Sequence, residues 1–184
     1  MFNMFEISYW MEFTLITIIW IIVRIIAGIK NKKFSFLYEL KMSMVYICLV
    51  VVARIVNFPW HHVDGHIGTL TLDASKIFPL WVNLVPIVHL FDIYDGWQMN
   101  IIGNITMFIP VGIVWPICFP QLNSVGKVAL AGLGFTLLIE ISQLLFYERC
   151  SDVDDLILNT TGMLIGAFIY FGFKKIAKRK EMAH

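Results

Sequence analysis

The sequence predicts an all-α protein, a polytopic membrane helix bundle of about five transmembrane helices with an outer-side loop between the second and third. Three observations carry that prediction. Of 184 residues, 59% are hydrophobic and 15% charged, with a mean hydropathy of +0.77; a soluble domain of this size carries far more charge. Apolar runs of about 20 residues recur along the chain, the length that crosses a hydrocarbon layer. Lysines and arginines gather in alternating flanks, the pattern that orients membrane helices. The net charge of +1 says nothing about nucleic acid, because the basic residues sit in those short flanks, and no nucleic-acid partner is expected.

The spans read as residues 8–29, 38–58, 97–119, 126–146 and 155–173. They divide the chain into two N-terminal helices (1–58), an extracytoplasmic loop (59–96), a three-helix core (97–173) and a basic cytoplasmic tail (174–184). Lys30, Lys32, Lys33 and Lys41 bracket the first turn, Lys127 lies at the second, and Lys174, Lys175, Lys178, Arg179 and Lys180 crowd the tail. The opposite side has only Lys76 and Arg149 against most of the acidic residues. An N-out, C-in arrangement fits every flank. The first span has no basic n-region and no small-residue cleavage pattern, so it reads as a retained anchor. Cys48 and Cys118 fall inside spans and Cys150 stands alone on the outer side, a pattern of free thiols with no disulfide framework.

In the long loop, the alternation of Thr69, Leu70, Thr71 and Leu72 predicts a small hairpin. Residues 79–91 are apolar but too short to cross, and Pro86 interrupts them, so they lie in the interface or re-enter. Trp60, Trp81 and Trp97 become interface anchors. His61, His62, Asp64 and His66 have no fixed metal-ligand spacing and read as an exposed loop of open role.

The functional signal lies in the last three spans. At ~100° per residue, Gly132, Thr136, Glu140, Gln143 and Tyr147 share about 80° of one helix face. Asp155, Asn159, Gly162 and Gly166 form a narrower stripe, and Asn100, Asn104 and Phe108 another. Given the orientation above, Asn100, Asn104, Asp155 and Asn159 fall in the first turns of their helices and Glu140 and Gln143 in the last turns of theirs. These costly side chains therefore converge at the outer leaflet. Gly132, Gly162, Gly166 and Thr136 suit helix packing, with Gly162 and Gly166 in GxxxG spacing.

Glu140 needs a partner in the spanning region: Arg149, Arg54 or a ligand cation. Asp152, Asp154 and Asp155 cluster at a helix start, where Asp152 or Asp154 serves as cap. Three aspartates plus Arg149 exceed what a cap requires, so the set is a candidate for holding a polar headgroup or a divalent cation, the latter through Glu140, Asp152 and Asp155. Pro110 and Pro116 free carbonyls in the third span and predict a kink. Snorkelling accounts for Arg24, whereas Arg54 lies at the depth of the acidic residues.

The ordered strings NIIGNITMFIPVGI, EISQ and ERCSDVDDLILNTTGMLIG, preceded by VNLVPI, resemble the VanZ-like family of small bacterial membrane proteins. The resemblance covers residues 82–170 and rests on Asn83, Pro86, Asn104, Phe108, Pro110, Gly112, Glu140, Gln143, Arg149, Asp152, Asp154, Asp155, Asn159, Gly162 and Gly166. The first two spans and the histidine loop find no counterpart in it. It implies an envelope protein of the bacterial cell membrane, of a family whose name member is associated with reduced susceptibility to the lipid-bearing glycopeptide teicoplanin. It implies no settled enzymatic activity.

Three functions compete. The leading expectation is binding of a lipid-linked envelope molecule, or membrane lipid, at the outer leaflet by Asn104, Glu140, Gln143, Arg149, Asp152, Asp154, Asp155 and Asn159. The second is an intramembrane enzyme on a lipid-linked substrate, using carboxylates for a metal or a proton. The third is a scaffold whose polar residues fasten helices. A transporter fits poorly, since five spans leave little room for two alternating halves. The sequence assigns no cofactor, catalytic residue or oligomeric state.

Overall fold

The computed structural model describes residues 5–31, 35–58, 67–72, 81–86, 97–146 and 149–182. Its architecture is all-α, with five helices long and apolar enough to cross a membrane, and it falls into two compact units.

The first unit comprises Met1–Leu80 with Leu145–Arg149. Strand β1 (Phe5–Ile7) precedes α1 (Tyr9–Asn31) and α2 (Phe36–Asn57), and β2 (Leu70–Leu72) follows. The apolar face of α1 is largely exposed, with Ile18, Ile19, Ile21 and Ile22 about half accessible. For a spanning helix that is the surface offered to acyl chains. Helix α2 buries a stripe of Met42, Val45, Cys48 and Val52 at helical spacing.

Polar pairs fasten α1 to α2. Thr17 and Tyr46 share a hydroxyl hydrogen bond of 2.7 Å, and the Asn57 amide donates to Glu12. Arg24 makes a two-pronged pair with Glu39, at 2.9 and 2.7 Å. Arg24 is thus an interhelical ion-pair partner and not a snorkelling side chain, since a planar guanidinium matches a carboxylate fork. Arg54 also finds partners inside this unit: it donates to the Phe58 carbonyl at 3.2 Å and lies over the Tyr9 ring at 5.6 Å.

Among the described residues, the alternation at Thr69–Leu72 supplies a strand that pairs with β1. Leu70, Thr71 and Leu72 pair antiparallel with Ile7, Glu6 and Phe5, and Leu72 also bridges Phe146. The period-2 pattern marked a strand correctly, but its partner lies at the other end of the unit. His61, His62, Asp64, His66, Trp60, Lys76 and Tyr147 lie outside the described residues.

The second unit comprises Trp81–Leu144 with Cys150–His184. Its elements are β3 (Val82–Asn83), α3 (Trp97–Cys118), α4 (Val125–Gln143), β4 (Ser151–Asp152) and α5 (Val153–Glu181). The predicted spans hold to within a few residues except at the last, whose helix continues through Lys174, Lys175, Lys178, Arg179 and Lys180. The basic stretch is therefore helical as far as Glu181. At 1.5 Å per residue α5 is roughly 43 Å long, longer than a hydrocarbon core of about 30 Å.

Helix α5 packs along α3 over its length and against α4. Between apolar helices in lipid, close packing and polar contacts hold the bundle, because burial from lipid gains little. Glycines supply that packing. A Cβ at Gly162 would strike the Ile105 carbonyl and one at Gly166 the Ile109 carbonyl, while a Cβ at Gly112 would meet that of Met163. On α4, a Cβ at Gly132 would come within 2.6 Å of the Met163 side chain. Phe108, Val128, Met163 and Ala167 fill the centre at 0% exposure. Helix α3 runs unbroken through Pro110 and Pro116.

Candidate functional site

One end of the second unit gathers the start of α3, the end of α4 and the start of α5. Parallel pairing of β3 with β4 brings the loop before α3 to the same place, with Val82 opposite Ser151 and Asn83 opposite Asp152. The Ser151 N–H also donates to the Trp81 carbonyl at 3.0 Å. The segment within 79–91 that sequence placed in the interface thus contributes a short strand at Val82–Asn83. Residues 79–80 and 87–91 lie outside the described residues.

Asp152 is the centre of this end. Its carboxylate accepts from the Asp154 N–H at 2.8 Å, which makes it the N-cap of α5. Both its oxygens lie 3.2 Å from the Asn83 amide nitrogen, and Asn83 Oδ1 accepts from Val85 in an Asx-type turn. The backbone N–H of Asp152 donates to Glu140 at 2.9 Å. So the charge of Glu140 is met by a peptide dipole at a helix start.

A second contact joins α3 to α5. Asn104 donates to Asp155 at 2.6 Å and also to Asn100 Oδ1 at 2.9 Å. Deeper in the bundle, the amide of Asn159 donates to Thr136 at 2.8 Å, with both residues buried. Among the described residues, Asn159 Oδ1 has no hydrogen-bond partner. Gln143 is 5% exposed at the end of α4 but hydrogen-bonds to none of these residues, and Asp154 is buried in the first turn of α5.

The structure therefore brings together Asn104, Glu140, Asp152, Asp154, Asp155 and Asn159 at one end of α3–α5. Arg149 groups with the first unit, where its guanidinium donates to the Asn57 carbonyl at 2.6 Å. Among the described residues, neither Glu140 nor Asp155 has a cationic partner. Nor do Glu140, Asp152 and Asp155 converge as metal ligands would, since no group of three or more His, Cys, Asp or Glu among the described residues has that arrangement. All three carboxylates are already turned to hydrogen-bond donors of the protein: Glu140 to the Asp152 N–H, Asp152 to the Asp154 N–H and the Asn83 amide, and Asp155 to the Asn104 amide.

Cys150 stands beside this end as an exposed free thiol. Desolvation pushes its pKa above the ordinary value, and the charges of Asp152, Glu140 and Asp155 push the same way. The negative surround thus adds to the desolvation, since nearby negative charge disfavours thiolate.

Asn83 is the contributor that side-chain spacing alone did not single out as a site residue. Its signal was the Asn-x-x-Pro turn, Asn83 to Pro86, in which a short amide fixes its own backbone and then reaches a carboxylate.

The VanZ/LLP1 family model matches residues 43–175. The match begins inside α2 and takes in the histidine loop, so it reaches further toward the N-terminus than the resemblance at residues 82–170. No curated protein and no solved structure gives a significant match.

Proposed function

This chain belongs to the VanZ/LLP1 family, and from that premise we propose that it is an integral membrane protein that holds a lipid-linked envelope molecule at the outer leaflet. The polar end of α3–α5 supplies the binding surface, and the lipid-facing helices border the acyl chain. The observation that carries this reading is the gathering of Asn83, Asn104, Glu140, Asp152 and Asp155 at one end, rich in carboxylate and, among the described residues, without a cationic partner for Glu140 or Asp155. Such a surface suits a ligand that brings amino, amide or hydroxyl donors, or a cation, to oxygen acceptors. Restricted access of lipid-bearing glycopeptides to their targets would be one consequence.

The test is a paired variant, Glu140→Gln with Asp155→Asn, which keeps side-chain volume. Lipid-linked molecules co-purifying with wild type are identified by mass spectrometry, and teicoplanin tolerance is scored in a sensitive host. The expected result is loss of both signals at unchanged membrane abundance. Full retention of both would overturn the proposal.

A second reading has its own support, since Asn104 with Asp155 and Thr136 with Asn159 each link two helices. Helix fastening predicts a paired variant that is less stable and less abundant, with ligand signal falling only in proportion.

A further inference from the structure

The opposite end of α3–α5 carries a feature the proposed function does not use. A cavity of about 220 Å³ opens there between the end of α3, the α3–α4 turn and the late part of α5. Pro116, Ile117, Leu122 and Phe171 form its apolar wall, and Asn123, Tyr170 and Lys174 its polar edge. No lining residue is acidic.

That polar edge is a donor set. The Lys174 ammonium lies over the Tyr170 ring at 5.8 Å from the centroid. Lys127 binds the oxygen of Asn123 at 3.0 Å, which turns the amide so that its nitrogen donates elsewhere and places a second ammonium beside the cavity. Helix α4 begins immediately after Ser124 with no acidic residue in its first turn, so its dipole adds positive potential at the same place.

Depth matches as well. Nineteen residues separate Asp155 from Lys174 along α5, roughly 28 Å at 1.5 Å per residue, close to the thickness of a hydrocarbon core. With the carboxylate end at one headgroup region, Lys174 stands at the other. Beyond it α5 adds Lys175, Lys178, Arg179 and Lys180.

From this juxtaposition we infer that the cavity is a site for an anionic phospholipid, its phosphate held by Lys174, Asn123 and Tyr170 and its first acyl carbons against Pro116, Ile117 and Phe171. The site is independent of the carboxylate end and stands or falls separately from it. The apolar wall selects a lipid over free phosphate, and the all-donor edge selects an anionic over a zwitterionic headgroup.

Native mass spectrometry of the purified protein, titrated with phosphatidylglycerol or phosphatidylcholine of the same chains, tests the site. Wild type should retain phosphatidylglycerol preferentially. Lys174→Gln should weaken that retention about fivefold, the share of one lysine at an anionic surface. Leu122→Trp, which fills the cavity without changing charge, should weaken it as well, whereas Lys180→Gln, further along the same helix, should not. Equal weakening by Lys180→Gln would mean diffuse attraction and would overturn the site. Displacement of the lipid by inorganic phosphate at equal concentration would also overturn it, by assigning the cavity to a free anion.

Discussion

Gly162→Ala is the sharpest test of how the bundle holds its polar end together. The added carbon would sit 2.9 Å from Phe108 Cβ and 3.1 Å from the Ile105 carbonyl carbon, with that carbonyl's oxygen nearer still. Part of the obstruction is backbone on α3, so no rotamer relieves it. Overpacking a close interface costs about 1–3 kcal/mol, and a backbone obstacle puts this site at the upper end. Helix propensity returns about 0.8–1.0 kcal/mol to any Gly→Ala change in a helix interior. The net loss is therefore ~2 kcal/mol at Gly162, against a net gain of ~1 kcal/mol at a glycine with open space beside it. Gly134 on α4 is such a control, with nothing within 4 Å of its added carbon. The gap of ~3 kcal/mol corresponds to about a hundredfold in the unfolding equilibrium. Unfolding of both variants in the same mixed micelles, titrated with a denaturing detergent, gives the two midpoints. Should Gly162→Ala match or exceed Gly134→Ala in stability, the close approach of α3 and α5 would be refuted, and with it the register that sets Asn104 against Asp155.

Thr136→Val keeps shape but removes the acceptor for the Asn159 amide, and should cost about 1–2 kcal/mol in the same assay while Thr136→Ser restores wild-type stability. Asp152→Ala removes the cap of α5 and the acceptor for Asn83; about 1 kcal/mol of helix-start stability should go, read as faster amide exchange at Asp154 with little change deep in α5. Cys150 should alkylate more slowly at neutral pH than an ordinary exposed thiol, because its pKa is raised and the thiolate is the reactive form. The rate should keep climbing above the usual thiol range, and Asp152→Asn should accelerate it at fixed pH; an unchanged rate would remove the negative field. The same residue, treated with a membrane-impermeant maleimide on intact cells, reports which side the carboxylate end faces, with labelling expected from outside.

The spans were legible because crossing a bilayer demands about 20 apolar residues, and few other structures require such runs. Helical periodicity also gave the inward face of α4 correctly: Gly132, Thr136, Glu140 and Gln143 are all buried. Partners were harder. Arg24 reads as a lone basic residue near a helix end, and only the packing of α2 beside α1 shows Glu39 within reach. Arg149 sits in an acidic stretch of sequence yet bonds a backbone carbonyl 92 positions earlier, a partner without side-chain identity and so without a trace in the pattern. Leu70–Leu72 carried a strand's alternation but nothing to say that Phe5–Ile7 would pair with it. The pairing of Val82–Asn83 with Ser151–Asp152 spans two residues a side, too short for any period to register.

Asp152 has a consequence for how occupancy would be felt. One carboxylate both starts α5 and receives Asn83, while its own peptide N–H steadies Glu140 on α4. A guest that competes for this carboxylate must loosen a helix start, a loop anchor and a neighbouring helix end together. Arrival at this hub would therefore be transmitted as a change in the order of three chain segments, without any hinge being needed.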